Sequence, residues 1–261
     1  MESTEAVAAA FLEAAQSTIE VGFQPSVQLP GDDVTDKMAR TRQPRLGQGL
    51  IQQRNRVMAT RAGMLQYKPP STYWVSSNQK RYIPRVEDQV IGVVEDRAGD
   101  YYRVNISGSS PALLPILAFD GATKRYMPNL PAGSLVFARV AAANKDMEPQ
   151  LTCCAPVHAP SKGWMTGQSM FGQLKGGKSM RCSALLAQSL VKPDCAVLHA
   201  LGESLPYEMA VGANGYVWVN SANTSHTIAI CNAIDNCDIM AEAQALEFVK
   251  KLLKGMGKTK K

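Results

Sequence analysis

The string Gly172-Gln-Leu-Lys-Gly-Gly177-Lys178-Ser179 has the full spacing of a phosphate-binding loop, G-x-x-x-x-G-K-S. Such a loop works because backbone amides at the start of a helix converge on phosphate, the lysine reaches the terminal phosphates and the hydroxyl meets magnesium. That geometry needs an apolar strand running into the loop. The residues before it, Gly163 to Phe171, include Gly167 and several polar side chains, and make a poor buried strand. No apolar strand ending in Asp stands at a sensible distance to complete a magnesium site. A helix over Met180 to Leu190 is expected to follow the string, but a nucleotide site is not. Its lysines read as loop charges.

Other chemistry is equally thin. The six cysteines, at 153, 154, 182, 195, 231 and 237, form no C-x-x-C, and His158, His199 and His226 are scattered singly. Zinc-ligand spacing is therefore missing, and the cysteines read as reduced, mostly buried thiols. There is no G-x-S-x-G elbow and no acidic pair on a strand that could line a pocket. The sequence assigns no catalytic residue, no metal and no cofactor, and binding is the better reading.

The charge pattern says what could be bound. The formal net charge is +6, but residues 1–36 hold seven acids and no base, whereas residues 37–86 hold eleven bases and no acid. Residues 250–261 add six lysines with no acid. Segregated basic charge points to a polyanionic partner, of which nucleic acid is the commonest. The lysine tail taken alone reads as a solvated charge run. No apolar run approaches 18 residues, so no membrane span is expected. The first twenty residues carry four Glu and no Lys or Arg, which predicts neither a secretory signal nor a presequence, and hence an intracellular protein.

The elements that must position these residues divide the chain into a multi-domain array, mainly β with a closing α/β unit. Between an acidic tail (1–26) and a basic tail (254–261) stand three domains. In the first, 27–84, Val27 to Pro30 leads into a turn, 37–47 reads as a loop, and short strands are expected over 49–53, 57–60, 64–67 and 73–75. In the second, 85–155, strands are expected over 88–96, 101–107, 112–117, 135–143 and 150–154. Five short strands with a long insertion after the third is the pattern of an OB barrel, which binds single-stranded nucleic acid on one face and its loops. The third, 156–253, reads as a helix over 180–190, a strand over 195–201, a hairpin, and helices over 224–237 and 241–253, a small α/β module of the KH type.

The hairpin, Pro206 to Ser221, is the most informative stretch. Strands Tyr207–Val211 and Tyr216–Asn220 hinge at Gly212-Ala213-Asn214-Gly215, where Asn-Gly predicts a tight primed turn with positive φ at both residues. Val217 and Val219 alternate with Tyr216 and Trp218, so this strand should be buried on both faces.

Four motifs carry a family resemblance. Tyr73-Trp74-Val75 followed by Gln79-Lys80-Arg81-Tyr82-Ile83-Pro84 resembles the junction between the N-terminal and S1 domains of the cap subunits of the RNA exosome. Phe119-Asp120-Gly121-Ala122-Thr123-Lys124-Arg125 and Ala143-Asn144-Lys145-Asp146-Met147-Glu148-Pro149 resemble signature loops of their S1 domain, an OB barrel, and Gly212 to Gly215 matches the GxNG of their KH domain. The resemblance covers residues 27–253 and is nearer to the ribosomal RNA-processing protein 40 type than to its sister, the protein 4 type. It implies a non-catalytic subunit. Three such subunits cap a six-membered ring of RNase-PH-like subunits and pass single-stranded RNA towards a 3′→5′ exoribonuclease, in the nucleus, nucleolus and cytoplasm. A free-standing S1/KH RNA-binding adaptor stays open as the alternative.

Within that frame the long loop after the third barrel strand offers Lys124 and Arg125 as phosphate contacts and Tyr126 as a stacking ring, with Lys145 in the next turn. Arg97 and Arg103 are weaker candidates. RNA-clamping KH domains hold the backbone with a G-x-x-G between two helices. Here Gly212, Asn214 and Gly215 sit between strands, in the wrong place for that clamp; the resemblance implies a structural role for them, packing the KH domain against S1, with Gly212 and Gly215 needed for turn geometry and close approach.

Overall fold

The computed structural model describes residues 26–38, 44–68, 71–78, 81–144, 146–156, 164, 169–192, 195–240 and 242–258. The chain forms two compact units, Met1–Asn78 and Gln79–Lys261.

In the first unit, β1 (Val27–Gln28) leads through a turn to the short helix α1 (Thr35–Met38), followed by β2 (Arg45–Leu46), β3 (Leu50–Gln53), β4 (Arg56–Ala59), β5 (Gly63–Lys68) and β6 (Thr72–Ser76). The expected loop over 37–47 is thus shortened by α1 and β2, with 39–43 outside the described residues. The sheet order is β1-β5-β6-β2, and β3 and β4 form a separate hairpin. Alternation in β6 buries Tyr73 and Val75, which with Leu65, Val57, Val34 and Met38 make a small core. Thr35 ties the pieces: its Oγ1 accepts from the Val57 N–H at 2.9 Å.

The second unit begins with the barrel: β7 (Gln89–Ala98), β8 (Tyr101–Asn105), β9 (Ala112–Pro115), β10 (Leu135–Ala142) and β11 (Gln150–Thr152). These are the five expected strands; four end short of the expected bounds, whereas β7 runs on to Ala98, so the turn expected at 97–100 is only its last two residues, Gly99 and Asp100. The sheet closes because β11 pairs with β9 in parallel and with β10 antiparallel. Val90, Val94, Tyr102, Val104, Leu114, Val136, Val140 and Leu151 fill the interior. A sixth strand, β12 (Gly172–Leu174), joins the free edge of β10.

From there the chain enters the KH-type module: β13 (Lys178–Arg181), α2 (Ala184–Leu190), α3 (Ala196–Ser204), β14 (Glu208–Val211), β15 (Tyr216–Asn220), α4 (Thr224–Cys237) and α5 (Glu242–Lys258). Two expectations are corrected. Residues 195–201 are the start of a helix, not a strand, because Val197 and Leu201, four apart, both face the module's core. A short apolar run does not distinguish the two by periodicity alone. The helix expected from Met180 starts only at Ala184: residues 178–181 pair with β15 as the edge of the sheet β13-β15-β14. Ser183 then caps α2, its Oγ accepting from the Leu186 N–H at 3.1 Å.

Candidate nucleic-acid interface

The barrel insertion, residues 116–134, is anchored at its base and free at its tip. The phenol of buried Tyr102 donates to the Pro128 carbonyl at 2.7 Å and accepts from the Leu130 N–H at 3.4 Å. Near its start, the Asp120 carboxylate accepts from the Ala155 N–H at 2.9 Å, and Phe119 bridges to Cys153. At the tip, Thr123 and Tyr126 exchange two backbone hydrogen bonds, each 3.0 Å. Lys124 and Arg125 are therefore the two central residues of a tight turn, both exposed, with Tyr126, 64% exposed, beside them. A rigid root with a cationic, aromatic tip suits contact with a phosphate backbone and a stacked base.

Arg97 and Arg103 lie on β7 and β8, outside the insertion. Lys145 lies outside the described residues. Pro149, just before β11, accepts from the Leu113 N–H near the start of β9, whereas the insertion leaves from the end of β9. Those two ends are roughly 10 Å apart along the strand. Arg103 stands opposite Asp96 on the outer row of β8, and Arg97 stands opposite buried Tyr102 on the other row. The two arginines thus occupy different faces, and Arg97 turns its Nε to the Gly99 carbonyl at 3.4 Å.

The GxNG segment is a joint. Asn214 is buried, and its Nδ2 donates to the carbonyls of Ile91 (2.7 Å) and Ile106 (3.0 Å) in the barrel. Its Oδ1 accepts from the Ile91 N–H at 3.4 Å, and the Ala213 N–H donates to the Gln89 carbonyl at 2.8 Å. A Cβ on Gly212 would lie 2.3 Å from Asn214 Oδ1 and 2.8 Å from the Ile91 nitrogen. Gly215 has φ +79° and meets the Cys182 carbonyl, which a Cβ would approach to 2.7 Å. The turn differs from the expected one: Gly215 alone is left-handed, and Asn214 is not among the residues with positive φ. The Gly215 N–H donates to the Gly212 carbonyl, a turn closed by one left-handed glycine, and Asn214 is left to reach inward.

The expected two-sided burial of β15 is present, and its reason is now visible. Val217 and Val219 belong to the core of the KH module, while Trp218 packs with the barrel residues. The strand is the wall shared by both domains. The phosphate-loop string supplies the other half of that wall. It is laid out as β12, a glycine turn and the start of β13, so Lys178 and Ser179 pair with Val219 and Trp218 in a sheet and no helix begins there. Trp218 Nε1 donates to the Gly176 carbonyl at 2.9 Å, and Gly177 is left-handed and pressed against the Val219 carbonyl.

Comparison with known proteins covers most of the chain. The family model described as exosome complex component RRP40, S1 domain, matches residues 82–164. One described as KH domain matches 177–225, and one described as exosome complex exonuclease Rrp40 N-terminal domain matches 45–81. The chain is 38% identical to exosome complex component RRP40 of Drosophila melanogaster, covering 80% of this chain and 88% of that protein. It is 37% identical to rrp40 of Schizosaccharomyces pombe, covering 88% and 95% respectively. The chain belongs to the RRP40 family of exosome components.

For RRP40 of Homo sapiens the identity is 35%, over 79% of this chain and 74% of that protein. A solved crystal structure described as an exosome complex RNA-binding protein shares the fold, with TM-score 0.53 and 20% identity, covering 67% of this chain and 98% of that one. In this RRP40-family chain the barrel is therefore the S1 domain and the α/β module the KH domain.

Burial sets the electrostatics around the joint. Burial pushes the Asp88 carboxyl above its usual range, and the Tyr82 phenol donates to it at 2.6 Å. Folding then favours the protonated acid. Its contribution to stability is full below the ordinary carboxylate pKa and fades as pH rises through the raised folded value. Burial, with the Asp238 carboxylate nearby, raises the Cys182 thiol to about 11, and burial holds Cys153 well above the ordinary thiol range. Neither thiol is poised as a nucleophile at neutral pH. All six cysteines are free.

Sequence reasoning missed Ile106, Gln89 and Tyr102 as functional positions. The first two act through backbone groups that no side-chain pattern reports. Tyr102 carried one usable signal: a tyrosine in the inward row of a barrel strand must find a partner for its hydroxyl.

Proposed function

We propose that this chain is a non-catalytic, RNA-binding cap subunit of an exosome, in nucleus and cytoplasm. It would rest on RNase-PH-like ring subunits beside other S1/KH cap subunits and guide single-stranded RNA towards a 3′→5′ exoribonuclease. Membership of the RRP40 family supports the assembly. The observation that carries the RNA-guiding role is the insertion tip, where Lys124, Arg125 and Tyr126 are exposed on a loop rooted by Tyr102. The barrel and KH domain are stapled together, so the tip is held on one rigid support.

The test is Lys124→Ala with Arg125→Ala in the reconstituted complex. Assembly should be unchanged, since both side chains are exposed and the turn is closed by backbone bonds. RNA affinity should fall about equally for all sequences, and the log–log salt dependence should flatten by about 1.4 in slope for the two lost phosphate contacts. Unchanged affinity and slope would take the tip out of the RNA path. Purification of the tagged protein tests the assembly directly: near-stoichiometric RNase-PH-like subunits are expected, and recovery of RNA with only substoichiometric proteins would favour a free-standing adaptor.

The hairpin layout of residues 172–179 leads to a second expectation. Lys178→Ala should leave RNA turnover by the assembled complex unchanged and reveal no lost nucleotide hydrolysis. Magnesium-dependent ATP hydrolysis by the pure chain that disappears with this substitution would restore the phosphate-loop reading.

A further inference from the structure

The eleven bases of residues 37–86 are not used by the S1 tip, and the first unit shows where part of that charge goes. In the sheet β1-β5-β6-β2, Thr72 pairs with Arg45 on one side and with Lys68 on the other. Residues directly opposite on neighbouring strands point to the same face, so Arg45, Thr72 and Lys68 form one lateral row, and both cations are exposed. Two residues along β6 on that face is Trp74, paired with Gln66. Its other flank is Gly47, whose missing Cβ would lie 2.9 Å from Trp74 Cβ. The opposite face is the core, where Leu65, Tyr73 and Val75 are buried. Trp74 therefore projects away from the core, half-buried, with a glycine beside it on the β2 flank.

We infer that this outer sheet face is a second contact for single-stranded RNA, with a base stacked on Trp74 and phosphates held by Arg45 and Lys68. Rows two residues apart are separated by about 6.6 Å, and Arg45 and Lys68 by two strand spacings, or about 9.6 Å. One nucleotide can lay its base over the ring while its backbone reaches the cationic row. An aromatic platform flanked by cations is the recurring device for strand binding without sequence preference, because every base has a stacking face. No acid occurs between residues 37 and 86. The next row, Met64 beside Val27, is exposed and apolar, and would extend the platform under a neighbouring base.

This inference rests on the RNA-binding reading above, and the experiment separates the two. The full-length chain is titrated with a fluorescent uridine 20-mer at several salt concentrations, and a 4-thiouridine version of the same RNA is photo-crosslinked and mapped. Crosslinks should fall on Trp74 or its row neighbours as well as on the insertion tip. Trp74→Ala should weaken binding on the order of fivefold to a hundredfold, the loss of one stacked base, and Trp74→Phe should recover most of it. Arg45→Ala with Lys68→Ala, both exposed and harmless to the core, should flatten the salt slope by about 1.4. If these variants bind like wild type while the Lys124/Arg125 variant is weakened, the sheet face is not an RNA site and the S1 reading survives. If Trp74→Ala keeps its RNA affinity but no longer joins the RNase-PH-like ring, the face is a protein interface and the inference is overturned. Failure of the wild-type chain to bind the RNA at low salt would overturn both readings.

Discussion

Asn214→Ala is expected to loosen the S1 and KH domains from one another and to lower the stability of the second unit by roughly 3–5 kcal/mol. The carboxamide meets two barrel carbonyls and one N–H, all buried: Ile91 C=O, Ile106 C=O and Ile91 N–H. Alanine leaves them without a partner, and each unsatisfied buried group costs about 1–3 kcal/mol. The melting temperature should fall by roughly 10 °C for a chain of this size. Asn214→Asp should be no better, because a carboxylate would face two carbonyl oxygens and offer neither a donor. Gly212→Val should reproduce the effect by another route. Its Cβ would have to displace Asn214 Oδ1 and the Ile91 amide, neither of which can move without opening the joint. Thermal denaturation with RNA affinity measured on the same samples decides the matter. RNA affinity should fall only as far as the folded population does. A variant that melts like wild type and no longer binds RNA would make the GxNG turn a direct RNA contact.

Gly92→Val should be damaging inside the barrel itself. Gly92 sits in β7 opposite Val136, and a Cβ there would lie 2.2 Å from Val104 Cγ1 and 3.2 Å from both the Asn105 carbonyl and Ile106 Cγ2. Overpacking of this kind costs typically about 1–3 kcal/mol, and more where backbone is in the way. Gly92 also follows Ile91, whose backbone receives Asn214, so displacement of β7 is transmitted to the joint. The mechanism makes a specific double-mutant prediction. Gly92→Ala and Val104→Ala should each destabilise the protein, and together should cost less than their sum, because the small residue at 104 removes the first clash. Strictly additive losses in chemical denaturation would show that Val104 is not what excludes a side chain at 92.

Distance along the chain separates the features legible in the sequence from those that were not. Alternation and turn residues were enough for the barrel strands and for the hairpin at 208–220, because both signals are local: a period of two and a glycine where the backbone must turn left. The helix over 224–237 was legible for the same reason, with its buried residues recurring at helical spacing. The run from Cys195 to Leu201 was not, since seven residues with apolar Val197, Leu198 and Leu201 satisfy either period, and the choice was made by the core they face. Likewise Met180 and Arg181 could have opened a helix, and became the end of a strand because β15 offered an edge to pair with.

The candidate site divides along the same line. From the sequence alone came the segregation of basic charge, the placement of Lys124 and Arg125 in a long barrel insertion, the two-sided β15 and the structural role of Gly212, Asn214 and Gly215. Only the tertiary structure decided that Arg97 and Arg103 lie on different rows, that the phosphate-loop string is a strap between two sheets, and that Arg45 and Lys68 flank one threonine across three strands. The physical reason is that charge, turn chemistry and burial period are written residue by residue. Which rows meet is set by strand register and by backbone groups such as the Ile91 and Ile106 carbonyls, which are the same for every side chain.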